Sequence, residues 1–203
     1  MVSTIIPMVD GKRAWLPRVL VAHAAGCLLG GVCTGLVLSL LAEAVAGTIA
    51  GSAFRFPRGL AAGASGVVAI AYALREADLV KLPAPQSTWQ VPRSWQGWEK
   101  RAIAASLYGF GLGAGVLTRI TSSLYPVIVW VALASRPAQS ALVMGCFGLF
   151  RAVPLWSIYA ACANANQRDV CTYVLHEWHA ASRLLNWMAM APLGAALLLR
   201  GVF

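Results

Sequence analysis

Apolar residues in this chain gather in five long runs, and most polar residues lie between them. A helix needs about 20 apolar residues to cross a bilayer, so runs of this length predict membrane-spanning helices. The runs cover residues 18–46, 59–74, 102–135, 138–163 and 182–201. The pattern therefore predicts an all-α, polytopic integral membrane protein with five transmembrane helices. A sixth crossing follows if residues 19–54 or 102–135 fold back on themselves.

Composition supports this interpretation, since 59% of the residues are hydrophobic and only 11% are charged. Soluble domains carry roughly 25% charged residues. The net charge of +9 comes from basic residues placed mainly between the apolar runs, so a membrane surface is expected as the partner and nucleic acid is not. Ten of these residues fall on one side of the five crossings and four on the other. The positive-inside rule then places the N-terminus in the cytoplasm, in a membrane that we expect to be a prokaryotic plasma membrane.

Glycine spacing indicates a duplication within one membrane domain that covers residues 1–203. Gly26-x3-Gly30 corresponds to Gly109-x3-Gly113 at an offset of 83 residues. The predicted units are a first repeat at about 18–76, a Trp- and Pro-rich cytoplasmic connection at 77–100, a second repeat at about 101–163 and a final helix at 182–201. Helices in lipid pack through small residues. The glycines expected at helix contacts are Gly26, Gly30, Gly35, Gly109, Gly113, Gly145 and Gly148.

Arg119 is the most unusual residue, because it lies in the middle of an otherwise uncharged run from Ala102 to Ser135. A charge at that depth is costly and marks either function or a buried partner. Glycines precede it, Pro126 follows, and four hydroxyl side chains surround it: Thr118, Thr121, Ser122 and Ser123. Hydroxyls can satisfy backbone groups where a membrane helix opens. We therefore expect an interruption at about 117–123.

Arg151 lies at a similar position in the fourth run, and Glu43 is the only carboxylate within any apolar run. Three interpretations are open for the two arginines. An anion or anionic headgroup could occupy the site, since guanidinium suits carboxylate, phosphate and sulfur oxyanions. Backbone carbonyls and Glu43 could satisfy the charges structurally. One arginine could instead extend to the membrane surface. The candidate substrate-binding set is Arg119, Arg151, Thr118, Thr121, Ser122, Ser123 and Glu43.

Other side chains point only loosely to chemistry. The five cysteines form no C-x-x-C pair, and Cys27 and Cys33 are six residues apart, so a regular helix turns their thiols in different directions. Cys171, His176 and His179 are candidates for a metal site, but they have no evident fourth ligand. The sequence contains no Walker A, G-x-S-x-G or H-E-x-x-H motif, so we expect no catalytic residues, and it specifies no cofactor.

Two segments carry a resemblance to a known family. Tyr108-Gly-Phe-Gly-Leu-Gly-Ala-Gly-Val-Leu-Thr-Arg-Ile-Thr-Ser-Ser resembles the glycine-rich first helix of a repeat in the membrane domains of CcdA and DsbD, and Phe147-Gly-Leu-Phe-Arg-Ala-Val-Pro resembles the next helix. The resemblance implies a duplicated-helix architecture. It also implies transmembrane electron transfer through a cysteine in the first helix of each repeat. This chain has Arg119 near the corresponding position and no cysteine there.

We therefore expect a membrane protein that binds or translocates a small anionic solute through a site at mid-depth. One alternative is a non-catalytic structural or accessory subunit that docks with other membrane subunits. A second alternative is a thiol or electron relay of the CcdA type that uses Cys27 and Cys33.

Overall fold

The computed structural model describes residues 16–50, 58–83, 101–115, 123–162, 184 and 186–199. These ranges contain helices and turns and no strand, so the predicted all-helical class is confirmed for them. We number the helices in chain order: α1 Leu16–Ala50, α2 Arg58–Glu76, α3 Arg101–Ala114, α4 Leu124–Ala134, α5 Pro137–Phe150, α6 Val153–Cys162 and α7 Asn186–Leu199.

Two stretches of the described residues are long and apolar enough to cross a membrane. Pro17–Thr48 has 32 residues with a mean hydropathy of 2.0, and Pro137–Ser157 has 21 residues with a mean hydropathy of 1.3. Ala102–Ala114, Leu124–Ala134 and Asn186–Leu199 are shorter apolar helices. By length and composition alone, two of the described segments could cross a membrane, fewer than the five that the hydrophobic pattern predicts.

The chain divides into two compact units. The first comprises Met1–Thr34, Ser87–Arg119 and Met144–Thr172, and the second comprises Gly35–Gln86, Ile120–Val143 and Tyr173–Phe203. Helices α1 and α5 contribute residues to both. Neither unit coincides with either predicted repeat, because each unit takes residues from both halves of the chain.

In the first unit, α1 and α3 run parallel in close contact. The Ser106 hydroxyl donates to the Ala22 carbonyl at 3.1 Å, and the Thr34 hydroxyl donates to the Ala114 carbonyl at 3.4 Å. Residue numbers therefore increase together in the two helices, at a nearly constant separation. A Cβ atom on Gly30 would lie 2.9 Å from the Ala114 nitrogen. Main chains can approach this closely only where side chains are absent.

Helix α5 packs against α1 in the opposite direction. A Cβ atom on Gly31 would lie 2.8 Å from the Met144 carbonyl carbon, and one on Gly148 would overlap the Cys27 carbonyl oxygen. Residue numbers rise along α1 as they fall along α5, so the two helices are antiparallel. The second unit has the same arrangement, since the Ser140 hydroxyl lies 2.8 Å from the Gly35 carbonyl oxygen.

The core of the second unit is formed by α2, α4 and α7. Its buried members are Ala69, Ala73, Val127 and Met190. Helices α2 and α7 are antiparallel, because a Cβ atom on Gly194 would lie 2.8 Å from Ile70 while one on Gly66 would lie 2.8 Å from Leu198. Small residues thus determine the helix spacing in this unit as well.

The third apolar run does not form one helix. Helix α3 ends at Ala114, and Gly115 follows with a φ of 72°, a left-handed conformation that glycine adopts without a Cβ penalty. Helix α4 begins at Leu124. The predicted interruption at 117–123 lies outside the described residues except for Ser123. The fourth run also breaks, because a turn at Arg151 and Ala152 separates α5 from α6.

Candidate functional site

A histidine and a cysteine form a buried pair on α1 in the first unit. His23 and Cys27 are 1% and 0% exposed. The His23 Nδ1 atom lies 3.4 Å from the Ala105 carbonyl oxygen, which can only accept a hydrogen bond, so Nδ1 carries the proton. His23 Nε2 is then an acceptor, and the Cys27 thiol donates to it at 3.6 Å. The spacing of four residues places both side chains on one face of α1.

Tyr108 of α3 completes the apolar surroundings of the histidine. Its ring stacks on the His23 imidazole with centroids 5.7 Å apart and an interplanar angle of 27°. Tyr108 is itself buried. The imidazole is therefore fixed by a hydrogen bond at each nitrogen and by an aromatic ring on its face.

Three helices meet at the Cys27 peptide. Cβ atoms on Gly113 of α3 and on Gly148 of α5 would both overlap the Cys27 carbonyl oxygen, and one on Gly109 would lie 3.1 Å from the Cys27 nitrogen. The two glycines also face each other, since the Gly148 Cβ position is 3.4 Å from the Gly113 Cα atom. The backbone of Cys27 is thus enclosed by main chain from two directions, which fixes its side chain next to His23.

Arg151 lies beside this junction, where it caps a helix. Its Nη1 donates to the Leu112 carbonyl at 2.9 Å, and its guanidinium carbon lies 5.8 Å from the Phe147 ring centroid. Leu112 is in the last turn of α3, and its carbonyl also accepts from the Gly115 amide at 3.2 Å. A cation at the C-terminus of a helix is favourable because the helix dipole is negative there. A helix that ends within an apolar region needs such donors for its last carbonyls.

An acidic side chain has the complementary position in the second unit. The Ser123 amide, at the start of α4, donates to Glu76 Oε1 at 3.2 Å. Arg75 donates to the Ser123 hydroxyl through Nη1 and to the Leu82 carbonyl through Nε at 2.8 Å. A carboxylate at a helix N-terminus is favourable for the same electrostatic reason. Each end of the broken third run therefore has a charged side chain of the matching sign within its own unit.

Only part of the predicted binding set lies among the residues that the structure describes. Ser123 is buried in the second unit, Glu43 is exposed on α1 in the same unit, and Arg151 caps α3 in the first. The remaining predicted site residues fall outside the described ranges: Arg119, Thr118, Thr121 and Ser122, together with the metal candidates Cys171, His176 and His179. Within the described ranges, no group of three or more His, Cys, Asp or Glu side chains could hold a metal ion.

All seven glycines predicted at helix contacts make close approaches to a neighbouring segment. The contacts of Gly26 and Gly109 also bear on the matching glycine spacings. Gly26 meets Ser106 and Phe110, and Gly109 meets His23 and Cys27, so the two motifs pack against each other. Mutual packing requires small residues on both helices and is sufficient to explain the shared spacing. The duplication stays a prediction.

The buried His23–Cys27–Tyr108 cluster was not predicted from the sequence. The available signal was the four-residue spacing of His23 and Cys27 in an otherwise apolar run. The third member could not be found from spacing, because Tyr108 joins them only through the packing of α3 on α1.

Comparison with known proteins relates this chain to bacterial methylamine utilization proteins named MauF. It is 31% identical to the protein of Paracoccus versutus over 87% of this chain, 29% identical to that of Methylobacillus flagellatus over 70%, and 30% identical to that of Paracoccus denitrificans over 76%. The chain spans 61%, 47% and 54% of the lengths of these relatives. No family model and no solved structure matches it. Bacterial relatives and two long apolar segments agree with association with a prokaryotic membrane.

These relatives correct the resemblance to CcdA and DsbD, which is wrong. The curated proteins that match most of the chain are named MauF. The misleading signal has a physical cause. Gly109 and Gly113 allow α3 to contact the main chain of α1 at His23 and Cys27. Helix contacts of this kind favour the same small residues in unrelated membrane proteins.

The predicted functions that depended on this site are also wrong. Relatives that act in methylamine utilization point away from anion translocation and from a CcdA-type thiol relay. For Arg151 the structure shows a backbone-carbonyl acceptor, as one of the three open interpretations allowed: its guanidinium caps α3 and lies over Phe147. Cys27 is buried against His23, whereas Cys33 is exposed.

Proposed function

We propose that this chain is a membrane-embedded, non-catalytic component of methylamine utilization. The observation that carries the proposal is its similarity to MauF of Paracoccus versutus over 87% of its residues. The buried cluster supports a non-catalytic role, because its polar atoms bond to the protein itself. His23 bonds to Ala105 and Cys27, and Arg151 bonds to Leu112. A helical scaffold of this kind is suited to holding other membrane or membrane-anchored proteins of the same system.

Loss of the gene tests this function. A strain without this chain should fail to grow on methylamine as its sole carbon source and should grow normally on succinate. Reintroducing the intact chain should restore growth on methylamine, and growth rates on the two substrates are the measurement. Normal growth of the deleted strain on methylamine would contradict the proposal. Equal defects on both substrates would indicate a general membrane function instead.

The proposed membrane arrangement has five crossings, with the N-terminus in the cytoplasm. Helix directions within each unit support it. In the first unit, α1 and α3 belong to the first and third crossings and run parallel, and α5 of the fourth runs antiparallel to α1. In the second unit, α2 and α7 belong to the second and fifth crossings and are antiparallel. In a chain that crosses the membrane repeatedly, two odd-numbered crossings must be parallel, and an odd-numbered and an even-numbered crossing must be antiparallel. The excess of basic residues on one side sets the orientation.

Lys81 and Arg136 provide a matched test of orientation, because both are exposed and lie on opposite sides in this arrangement. Lys81→Cys and Arg136→Cys would each be labelled with a membrane-impermeant maleimide in whole cells. Arg136→Cys should react from outside, whereas Lys81→Cys should react only after permeabilisation. Labelling of the chain without either substitution gives the background from its native cysteines. Equal labelling of both variants in intact cells would contradict five crossings.

A further inference from the structure

A tight turn at the end of α2 presents apolar side chains on its outside. Asp78 has a φ of 58°, a left-handed conformation that ends the helix. The Asp78 amide donates to the Arg75 carbonyl at 3.0 Å. The Leu79 amide donates to the Leu74 carbonyl at the same distance. These two bonds form the Schellman arrangement that closes many helices. Leu79 is nevertheless 73% exposed, and Val80 beside it is also exposed.

Side chains of α2 extend the hydrogen bonding of this turn. The Arg75 Nε atom donates to the Leu82 carbonyl at 2.8 Å. The Tyr72 hydroxyl donates to the Pro83 carbonyl at 3.3 Å, so the segment after the turn is held against α2. A turn in water does not need such donors, because water bonds to any free carbonyl, whereas backbone that lies in lipid must bond within the protein. The bonding therefore favours lipid over water around the turn.

The apolar residues of the turn continue one face of α2. Val67 and Leu74 are exposed, and their spacing of seven residues places them on the same side of the helix. Ala69 and Ala73 lie on another side, where they are buried in the core with α4 and α7. Because the Leu79 amide bonds to Leu74, Leu79 extends the exposed face beyond the end of the helix. This face is turned away from α4 and α7.

We propose that the turn, residues 77–83, anchors α2 at the cytoplasmic surface of the bilayer. Leu79 and Val80 insert into the edge of the hydrocarbon, and the Lys81 ammonium lies at the level of the lipid phosphates. Lys81 is exposed and directly follows the two apolar residues. Lysine suits this position, since its stem covers apolar surface while its charge reaches the headgroups. The inference rests on the membrane placement proposed above, in which α2 ends on the cytoplasmic side.

The size of this surface favours lipid over a partner protein. Among the described residues, the turn offers two apolar side chains and one cation, whereas a stable protein contact buries about 800 Å² on each partner. A bilayer needs no large patch, because its boundary supplies hydrocarbon and phosphate a short distance apart. The order of the residues matches that boundary, since Leu79 and Val80 directly precede Lys81.

Nitroxide labels test the depth of the turn in liposomes of phosphatidylcholine and phosphatidylglycerol. Four native cysteines of the intact chain would be replaced by serine: Cys33, Cys146, Cys162 and Cys171. Cys27 would stay because it is buried. Labels at Leu79→Cys and Val80→Cys should collide more often with oxygen, which concentrates in hydrocarbon, than with a water-soluble nickel chelate. A label at Lys81→Cys should collide more often with the nickel chelate.

Two further labels calibrate the measurement within the same unit. Leu142→Cys, at an exposed apolar position of α5, gives the hydrocarbon reference, and Arg136→Cys, at an exposed position between α4 and α5, gives the water reference. The substituted positions at 79, 80, 81, 136 and 142 are all exposed, so the unfolding temperature should not change.

The two references separate the possible failures. An oxygen-to-nickel ratio at Leu79→Cys equal to that at Arg136→Cys would overturn the anchor, because the turn would then lie in water. Rare collisions with both reagents would also overturn it, since protein would then cover the turn. If Leu142→Cys itself reports water, the proposed membrane placement is wrong and the anchor is refuted with it.

Discussion

Gly113→Ala should lower the free energy of unfolding by about 3 kcal/mol, near the upper end of what overpacking usually costs. The added methyl group would overlap the Cys27 carbonyl oxygen, and the Cys27 Cα atom would be 2.8 Å away. Both atoms belong to the main chain, so no rotamer change can relieve the overlap. The two helices must separate, and they then lose the close packing that holds helices together in lipid. Thermal unfolding in detergent should show a decrease of roughly 10 °C.

Gly47→Ala is the matched control for this substitution. Gly47 also lies in a helix, but a Cβ atom there would meet nothing within 4 Å. Alanine should therefore leave the unfolding temperature unchanged or raise it, because alanine is favoured over glycine in helices by up to about 1 kcal/mol. Equal unfolding temperatures for the two variants would show that the α1–α3 contact is looser than the structure indicates.

His23→Ala should destabilise the first unit by a similar amount, about 3 kcal/mol. The imidazole is 1% exposed and stacks on Tyr108, so its removal leaves a buried cavity. The substitution also removes the acceptor of the Cys27 thiol and the donor to the Ala105 carbonyl. Buried polar groups without a partner cost roughly 1–3 kcal/mol. The same thermal unfolding measurement applies.

His23→Phe separates the packing contribution of the ring from the contribution of its hydrogen bonds. Phenylalanine retains an aromatic ring against Tyr108 but has no nitrogen atoms, so only the hydrogen-bond contribution should be lost. Leu41→Ala, at a position 55% exposed on the same helix, serves as the control for truncation alone and should have little effect. If His23→Ala behaves like Leu41→Ala, the histidine does not stabilise the packing of α1 against α3.

The hydrophobic pattern predicted the helical class, whereas the glycines expected at helix contacts were chosen from their spacing and small size. These properties follow from local requirements, since apolar length and residue size are visible in the sequence itself. The break expected at about 117–123 stays a prediction, because the structure describes only Ser123 of that range; the described part of α3 ends at Ala114, before Gly115. The lengths of the separate helices could not be predicted as well from the sequence. Arg151 marks a turn within the fourth run, where hydropathy alone suggests one continuous helix.

The sequence did not reveal how the polar residues are used. For Arg151 the sequence left an anion, backbone carbonyls with Glu43, or extension to the membrane surface as open interpretations, because a cation at that depth requires a partner. Its partner is the Leu112 carbonyl, a backbone group that every residue possesses and that no sequence pattern distinguishes. Similarly, Glu76 caps α4 across 47 residues of chain. Pairings of this kind depend on tertiary packing, and for this reason composition and spacing left several interpretations open.

The overlap of Gly113 and Gly148 with a main-chain oxygen has an evolutionary consequence. When a larger side chain meets another side chain, a second substitution can make room for it. Here the obstacle is the Cys27 carbonyl oxygen, which is the same in all twenty amino acids. No replacement at position 27 can compensate for a side chain at either glycine. We therefore expect related chains to retain both glycines even where the cysteine itself is replaced.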